Sequence, residues 1–326
     1  MNATPRILIT GASGFIGSHL VEEALSQGME VWAAVRPSSS RRWLADTRIH
    51  FIELNLGHAE ELHEQLLAHV EKHGPWNYVI HAAGATKCKD TQDFFRINTE
   101  GTTLLARTLL QTEALTGRFV FLSSLSIMGA LHEDDYAPFT DADTPQPNTA
   151  YGRSKLKAEQ RLAQIPGLDY IVLRPTGVYG PREVDYKIMA QTIRRHIDFA
   201  AGYRRQVITF IYVSDVVQAA FLALRKGQSG QAYILSDGQD YSSRAFSDLI
   251  QQTLGTRGVL HLKAPLWVLR LVCRLGISPT LNMDKYHILS QRSWRCDITP
   301  ARRDLGFSPQ WPLRRGVEAC REWYRE

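Results

Sequence analysis

The sequence predicts an α/β fold, a doubly wound parallel sheet with a smaller, discontinuous C-terminal lobe. Three observations carry this reading. Short runs rich in β-branched and aromatic residues alternate with longer helical patterns through the first half of the chain. A glycine triplet separates the first run from the first helical pattern. After Gly180-Pro181 the alternation becomes irregular and returns only in pieces.

Residues 6–10, 30–35, 50–53, 78–81, 118–122 and 170–173 have the near-continuous apolar character of strands buried on both faces of a parallel sheet. Segments 15–27, 59–72, 91–115 and 151–165 are long and periodic enough to be the crossover helices. Further on, 214–224 reads as a Ser-capped helix and 232–235 as a return to the main sheet. The last helix, 312–324, opens on Pro312, whose missing N–H is no loss at a first helical turn. The main unit is therefore placed at 1–180 with returns at about 207–237 and 314–326, and the lobe at about 181–206 and 238–313.

A chain of 326 residues with 44% hydrophobic and 22% charged residues buries a sizeable core, which excludes disordered and collagen-like classes. Cys88, Cys273, Cys296 and Cys320 fall at neither zinc nor thioredoxin spacing, so no metal site is predicted. Reduced thiols, and an N-terminus that runs through Met1 to Pro5 straight into a strand, lead us to expect a cytoplasmic protein. The formal charge of +5 is spread over short Arg doublets with no nucleic-acid-binding signature, so no nucleic-acid partner is expected. Segment 265–277 is too short to span a bilayer, and Arg270 and Arg274 share one face of it. Its apolar face covers a core, roofs a pocket or touches a membrane; membrane contact is not expected, because such faces mostly turn inward.

The first strand runs directly into Gly11-Ala12-Ser13-Gly14-Phe15-Ile16-Gly17. Glycines at 11, 14 and 17 permit a tight turn, close backbone approach to a pyrophosphate, and close packing of helix on strand. Lying between the predicted first strand and first helix, this turn points to a dinucleotide. After the second strand, an NAD-selective site would carry a carboxylate, yet no acid occurs between Glu30 and Asp46. Arg36, Arg41 and Arg42, with Ser38 to Ser40, suit a 2′-phosphate instead. NADP(H) is expected as the preferred cofactor, with NAD(H) as the alternative.

Tyr151 and Lys155 lie four apart on one predicted helix, and an adjacent cation favours a phenolate. Ser123-Ser124 end the strand 118–122, at the carboxyl edge where ligands bind in such sheets. A hydroxyl, a phenol and an ammonium converging on one carbonyl oxygen would form an acid–base site.

With these residues in place, the chain resembles the extended short-chain dehydrogenase/reductases, the superfamily also called NAD-dependent epimerase/dehydratase, built on the Rossmann fold. The motifs run in family order: Thr10 to Gly17, His81-Ala82-Ala83-Gly84, Asn98-Thr99-Glu100-Gly101-Thr102, Ser123 to Gly129, Tyr151 with Lys155, Leu173-Arg174-Pro175 leading to Val178-Tyr179-Gly180-Pro181, and Phe210 to Val216. The resemblance implies Tyr151 as acid/base, Lys155 on the nicotinamide ribose, and Ser124 polarising the substrate oxygen. It implies that the amides of Phe15 and Ile16 meet the pyrophosphate, with Gly11, Ser13, Gly14 and Gly17 shaping the turn around it. It further implies Arg36, Asn55 and Leu56 on the adenosine side, Ala82, Ala83 and Gly84 beside the ribose and phosphate, Asn98 beneath the cofactor, and Pro175 with Val178 at the nicotinamide amide.

Where nucleotide-sugar members carry an asparagine and an arginine on the substrate diphosphate, this chain has Gly177 and Ile208, and Met128 replaces a common tyrosine of the substrate wall. These departures, with the basic loop, look more like the dihydroflavonol reductase and 3β-hydroxysteroid dehydrogenase branch. The expected activity is hydride transfer between NADP(H) and a carbonyl or secondary alcohol; the alternative is a nucleotide-sugar epimerase or dehydratase that holds its cofactor tightly. Trp267 is expected to face a ring system in the substrate pocket, and Lys87 and Lys89 are candidates for touching substrate. The family implies a homodimer through the helices around 91–115 and 151–165.

Overall fold

The computed structural model describes residues 4–275 and 282–326. Its centre is a seven-stranded sheet of β1 (Arg6–Thr10), β2 (Glu30–Ala34), β3 (His50–Ile52), β4 (Trp76–His81), β5 (Leu115–Leu122), β6 (Tyr170–Pro175) and, later in the chain, Ala232–Leu235. From edge to edge the order is Ala232–Leu235, β6, β5, β4, β1, β2, β3, and every pair is parallel. The chain starts in the middle, winds outward through β2 and β3, then returns to build the other half, as the sequence predicts.

Side chains alternate across this sheet. Ile7 and Ile9 join the apolar layer on one face, under α1 (Phe15–Ser26), while Leu8 joins the layer under α2 (Ala59–His73) on the other. All three are fully buried, which explains why these strands read as continuous apolar runs.

The predicted helix 91–115 is three pieces: α3 (Thr91–Phe94), a π-helical turn (Phe95–Glu100) and α4 (Gly101–Gln111). The wider turn directs Asn98 and Thr99 at α5 (Ala150–Leu162), where they bond Ser154 through Oγ and the carbonyl oxygen respectively. Glu113, at φ 52°, then turns the chain into β5 three residues before the expected strand start.

Beyond β6 the chain forms β7 (Gly177–Tyr179), α6 (Asp185–Arg194), β8 (Ile197–Ala201), β9 (Val207–Ile208), β10 (Phe210–Tyr212) and α7 (Val213–Ala223). The last main-sheet strand is β11 (Ala232–Leu235), followed by β12 (Tyr241–Ser242), α8 (Ala245–Leu254), β13 (Leu260–Ala264), α9 (Leu266–Leu275) and α10 (Met283–Ser290). The chain ends in α11 (Leu313–Ala319) and α12 (Arg321–Arg325), so the single predicted final helix is broken at Cys320. Pairs β7–β10, β9–β12 and β8–β13 form three small sheets. Ser214 does not cap α7: β10 runs straight into the helix, Tyr212 takes the cap position, and Ser214 falls inside the first turn.

Trp267 does not face a pocket. Leu269 and Cys273 fill the inward side of α9, and Trp267, two positions before Leu269 and so about 200° round the helix, is 71% exposed. The end of the predicted 265–277 segment, Gly276 and Ile277, lies outside the described residues. Met128 is likewise not on an open wall; it is buried with Leu125, Ile127, Phe139 and Ile234. Among the described residues no helix is long and apolar enough to cross a membrane.

Candidate active site

The glycine turn joins β1 to α1 as the sequence requires. Gly11 has φ 67°, and a Cβ there would lie 2.6 Å from the amide nitrogen of Ala83; at Gly17 it would lie 2.0 Å from the carbonyl oxygen of Gly11. Any larger residue would therefore push β4 or α1 away from the turn. Gly14 begins α1 without a side-chain cap, so the first-turn amides, those of Phe15 and Ile16 included, remain open at the positive end of the helix, beside the exposed Gly14 and half-buried Ser13.

The neighbouring loop, Ala82 to Gly84, is fixed by a chain of buried donors. The Ala83 amide donates to Thr10 Oγ1 (3.2 Å), which lies 2.7 Å from His81 Nδ1; His81 Nε2 lies 2.9 Å from Thr102 Oγ1, which donates to the Asn98 carbonyl at 2.7 Å. Because Thr102 spends its proton on Asn98, it accepts from His81 Nε2–H, leaving Nδ1 to accept from Thr10. Burial, with the charge of Lys155 adding to it, pushes the His81 imidazolium down to about 3, so the ring stays neutral. Asn98 completes the loop: its side chain is fully buried, accepts from the Ala85 amide and donates to the Ala85 carbonyl and Ser154 Oγ.

At the carboxyl end of β5 the two serines divide. Ser123 donates to Glu159, which also holds Arg174 at 2.6 Å, so Ser123 is structural. Ser124 accepts from the Ser126 amide, and its hydroxyl stands beside the Tyr151 phenol. Lys155 is buried, donates to the Leu122 carbonyl at 2.8 Å and lies 4.6 Å from the centre of the Phe121 ring. A Cβ on Gly84 would sit 3.2 Å from Lys155 Nζ and 3.0 Å from Asn98 Oδ1, so glycine keeps this loop against both. The ammonium has three protons and Leu122 takes one, which leaves donors for a bound group.

The electrostatics differ from the expectation of a phenol lowered by its neighbouring cation. Burial drives the Tyr151 phenol up to about 12, and the neighbouring Ser124 hydroxyl opposes it. Burial also drives the Lys155 ammonium down to about 8, against the pull of Glu159. The i, i+4 spacing sets both groups on one side of α5, and desolvation rather than the neighbouring cation governs the phenol.

The remaining predicted contacts vary. Pro175 is buried and Val178 half-buried, where β6 passes to β7. The Asn55 amide donates to Glu61 and accepts from the Gly57 amide, so it holds the start of α2, with Leu56 half-buried beside it. Arg36 is exposed, and its guanidinium engages no described residue; only its backbone pairs, with Ser39. Arg41 and Arg42 lie over the Phe51 and Trp43 rings. Lys87 is held by Asp185 at 2.6 Å, and the other oxygen of that carboxylate takes Lys285. Gly177 is exposed and Ile208 is paired with Tyr241.

Sequence reasoning missed Asp284, whose carboxylate accepts from the amides of Ala150 and Tyr151. No local signal marks it, since its partners lie more than a hundred residues away. The partners of His81, Thr10 and Thr102, are likewise set by the tertiary fold.

The residues present fit a nicotinamide dinucleotide. The turn admits no side chain at Gly11 or Gly17, the first-turn amides of α1 are open, and Lys155 retains donors beside Gly84. The sequence profile of the NAD dependent epimerase/dehydratase family matches residues 7–236. The chain is similar to the 4-hydroxy-2-methyl-3-oxo-4-farnesyl-3,4-dihydroquinoline-1-oxide ketoreductase of Stigmatella aurantiaca, at 26% identity over 97% of this chain and 96% of that protein. It is similar to a putative dihydroflavonol 4-reductase of Synechocystis at 27% identity, over 97% and 94% of the two chains. The solved structure of MoeE5 in complex with UDP-glucuronic acid and NAD matches with a TM-score of 0.77 at 27% identity, over 98% of this chain and 99% of that one. The matched segment takes in the glycine turn, the His81 donor chain and the Ser124, Tyr151 and Lys155 side chains, and the protein belongs to the NAD-dependent epimerase/dehydratase family.

Proposed function

We propose that this protein is an NADP(H)-preferring oxidoreductase acting on a ketone, an aldehyde or a secondary alcohol. The observation that carries the acid–base part is the desolvated Tyr151 phenol with the Ser124 hydroxyl beside it and Lys155 buried one helical turn further along α5. When bound at the glycine turn, the cofactor supplies the hydride chemistry. Ser124 holds the substrate oxygen; Tyr151 gives that oxygen a proton on reduction or takes it on oxidation. Lys155 fixes the ribose side with the protons that Leu122 leaves free.

Three features favour net redox on a carbonyl compound. Gly177 and Ile208 offer no anchor for a diphosphate. Arg36 is exposed, and its guanidinium engages no described residue, which leaves it available to a 2′-phosphate. A relative spanning nearly the whole chain is named as a ketoreductase. A second reading, a nucleotide-sugar epimerase or dehydratase, is favoured by the likeness to MoeE5, solved with UDP-glucuronic acid and NAD. The two are separated by incubating the purified protein with NADPH and a panel of carbonyl compounds, and separately with UDP-sugars. Stoichiometric NADPH consumption with a carbonyl supports the proposal. Turnover of a UDP-sugar with no net change in reduced cofactor replaces it.

A further inference from the structure

We infer that the surface formed by α9, β8 and β13 docks on an anionic phospholipid bilayer, lying on it without crossing it. Along α9, Trp267, Leu271 and Leu275 are exposed at intervals of four residues, so at about 100° per residue they fall in one arc of the helix. Arg270 and Arg274 border the same arc, and the opposite side buries Leu269 and Cys273. The apolar surface continues onto the small sheet. Phe199 pairs in register with Leu262, and Ile197 with Leu260; Phe199, Leu260 and Leu262 are all exposed. The other face of that sheet is occupied, since Asp198 is buried and bonds His261, which also meets Arg244. Tyr203, itself exposed, donates to the Lys263 carbonyl and joins the two parts.

Charge selects the occupant. Between Asp248 and Asp284 the chain carries Arg257, Lys263, Arg270 and Arg274 and no carboxylate. The adjoining strand β8 holds one acid, the buried Asp198, and Arg195, Arg204 and Arg205 lie in the segments before and after it. The neighbouring ion pairs, Arg244–Asp248, His261–Asp198, Lys285–Asp185 and Arg292 with Glu133 and Asp134, use none of Lys263, Arg270 or Arg274. An apolar stripe with an interfacial tryptophan, edged by cations that pair with no described carboxylate, is the pattern of a helix lying in the headgroup region. Two copies meeting through this face would bring their arginines together, which opposes self-association. The inner edge of the same helix reaches a recess: Arg270 lines a space of about 330 Å³ with Tyr286, His287 and Asn148, the last of these two residues before α5.

The test is vesicle flotation of the full chain on phosphatidylcholine, with and without phosphatidylglycerol. The wild type is expected to float only with the anionic vesicles and to be released by salt. Trp267→Ser combined with Leu271→Ser should weaken binding at least about tenfold, and Lys263→Gln or Arg274→Gln about fivefold each. The thermal midpoint and cofactor affinity of all these variants should stay at wild-type values. The inference is overturned if the wild type floats with neither vesicle, or if the Trp267/Leu271 variant floats as well as the wild type. It is also overturned if sedimentation shows a dimer that Trp267→Ser dissolves, because a second copy then owns the face. None of these outcomes depends on turnover, so the docking and the redox proposal fail separately.

Discussion

Asp284 of α10 grips the start of the catalytic helix: Oδ1 accepts from the Ala150 amide at 3.0 Å and Oδ2 from the Tyr151 amide at 3.1 Å. Thr149 already caps α5 through the Gly152 amide, so two side chains from distant parts of the chain satisfy its first turn. The carboxylate also lies at the positive end of the helix. Asp284→Ala should therefore cost about 1 kcal/mol of stability and, by loosening Tyr151, about tenfold in kcat. Cofactor affinity should be unchanged, because the glycine turn is not touched. Paired measurements of kcat and cofactor Kd check this; equal losses in both would assign Asp284 to general folding instead.

Tyr151 is held protonated by burial, at about 12, and is thus an acid throughout the neutral range. Tyr151→Phe should lower kcat by about 10²–10⁴-fold while leaving cofactor Kd unaltered. Ser124→Ala should also lower kcat, and it removes the neighbouring hydroxyl that pulls the phenol down. The pH at which the oxidation rate rises should therefore move upward in that variant. A Tyr151→Phe enzyme as active as the wild type would end the acid–base assignment.

Much of the site was legible because its signals are local. The order strand, Gly11-Gly14-Gly17, helix is set by backbone requirements within a dozen residues, and the Tyr151/Lys155 spacing places two side chains on one helix face wherever the helix lies. What was not legible depends on packing. The sign of the Tyr151 shift follows from how completely the fold desolvates it, and the outward turn of Trp267 follows from which side of α9 finds a core. The π-helical turn that aims Asn98 has no sequence period of its own, and Asp284 meets α5 only through the tertiary fold.

Lys155 carries a stability cost that its function requires. Its folded-state pKa of about 8 lies below the ordinary 10.5, so at neutral pH the fold holds a cation it disfavours. The unfolded chain binds more protons between those two values, so this part of the stability rises with pH through that window and is absent below it. Lys155→Met should remove the cost. At pH 7 the variant should be about 1–2 kcal/mol more stable, after allowing for the bond lost at Leu122, and inactive. Urea unfolding at pH 7 and pH 10 should show the advantage shrinking at the higher pH. A variant less stable than wild type at pH 7 would contradict this.

His81 works in the opposite pH range. Its folded value of about 3 lies below the ordinary 6.5, so the stability it gives as a neutral link between Thr10 and Thr102 is fully present above 6.5 and is lost as pH falls toward 3. At pH 5 this group alone should cost about 2 kcal/mol relative to pH 7. His81→Gln, which retains a donor and an acceptor without the titration, should show a correspondingly smaller loss between pH 7 and pH 5 in urea unfolding. An unchanged loss would place the acid sensitivity elsewhere.

Cofactor choice turns on the loop after β2. The Arg36 guanidinium is free of described partners, whereas Arg41 and Arg42 are already spent on aromatic rings, so Arg36 is the cation left to meet a 2′-phosphate. A charge-assisted, bidentate contact of that kind contributes about 1.5–3 kcal/mol. Arg36→Ala should therefore raise the Kd for NADPH about tenfold to a hundredfold while changing that for NADH little. Arg41→Ala should have the smaller effect of the two. Fluorescence titration of both cofactors against both variants decides it. If Arg36→Ala weakens NADH as much as NADPH, Arg36 serves the adenosine side without reading the phosphate, and the proposed preference falls.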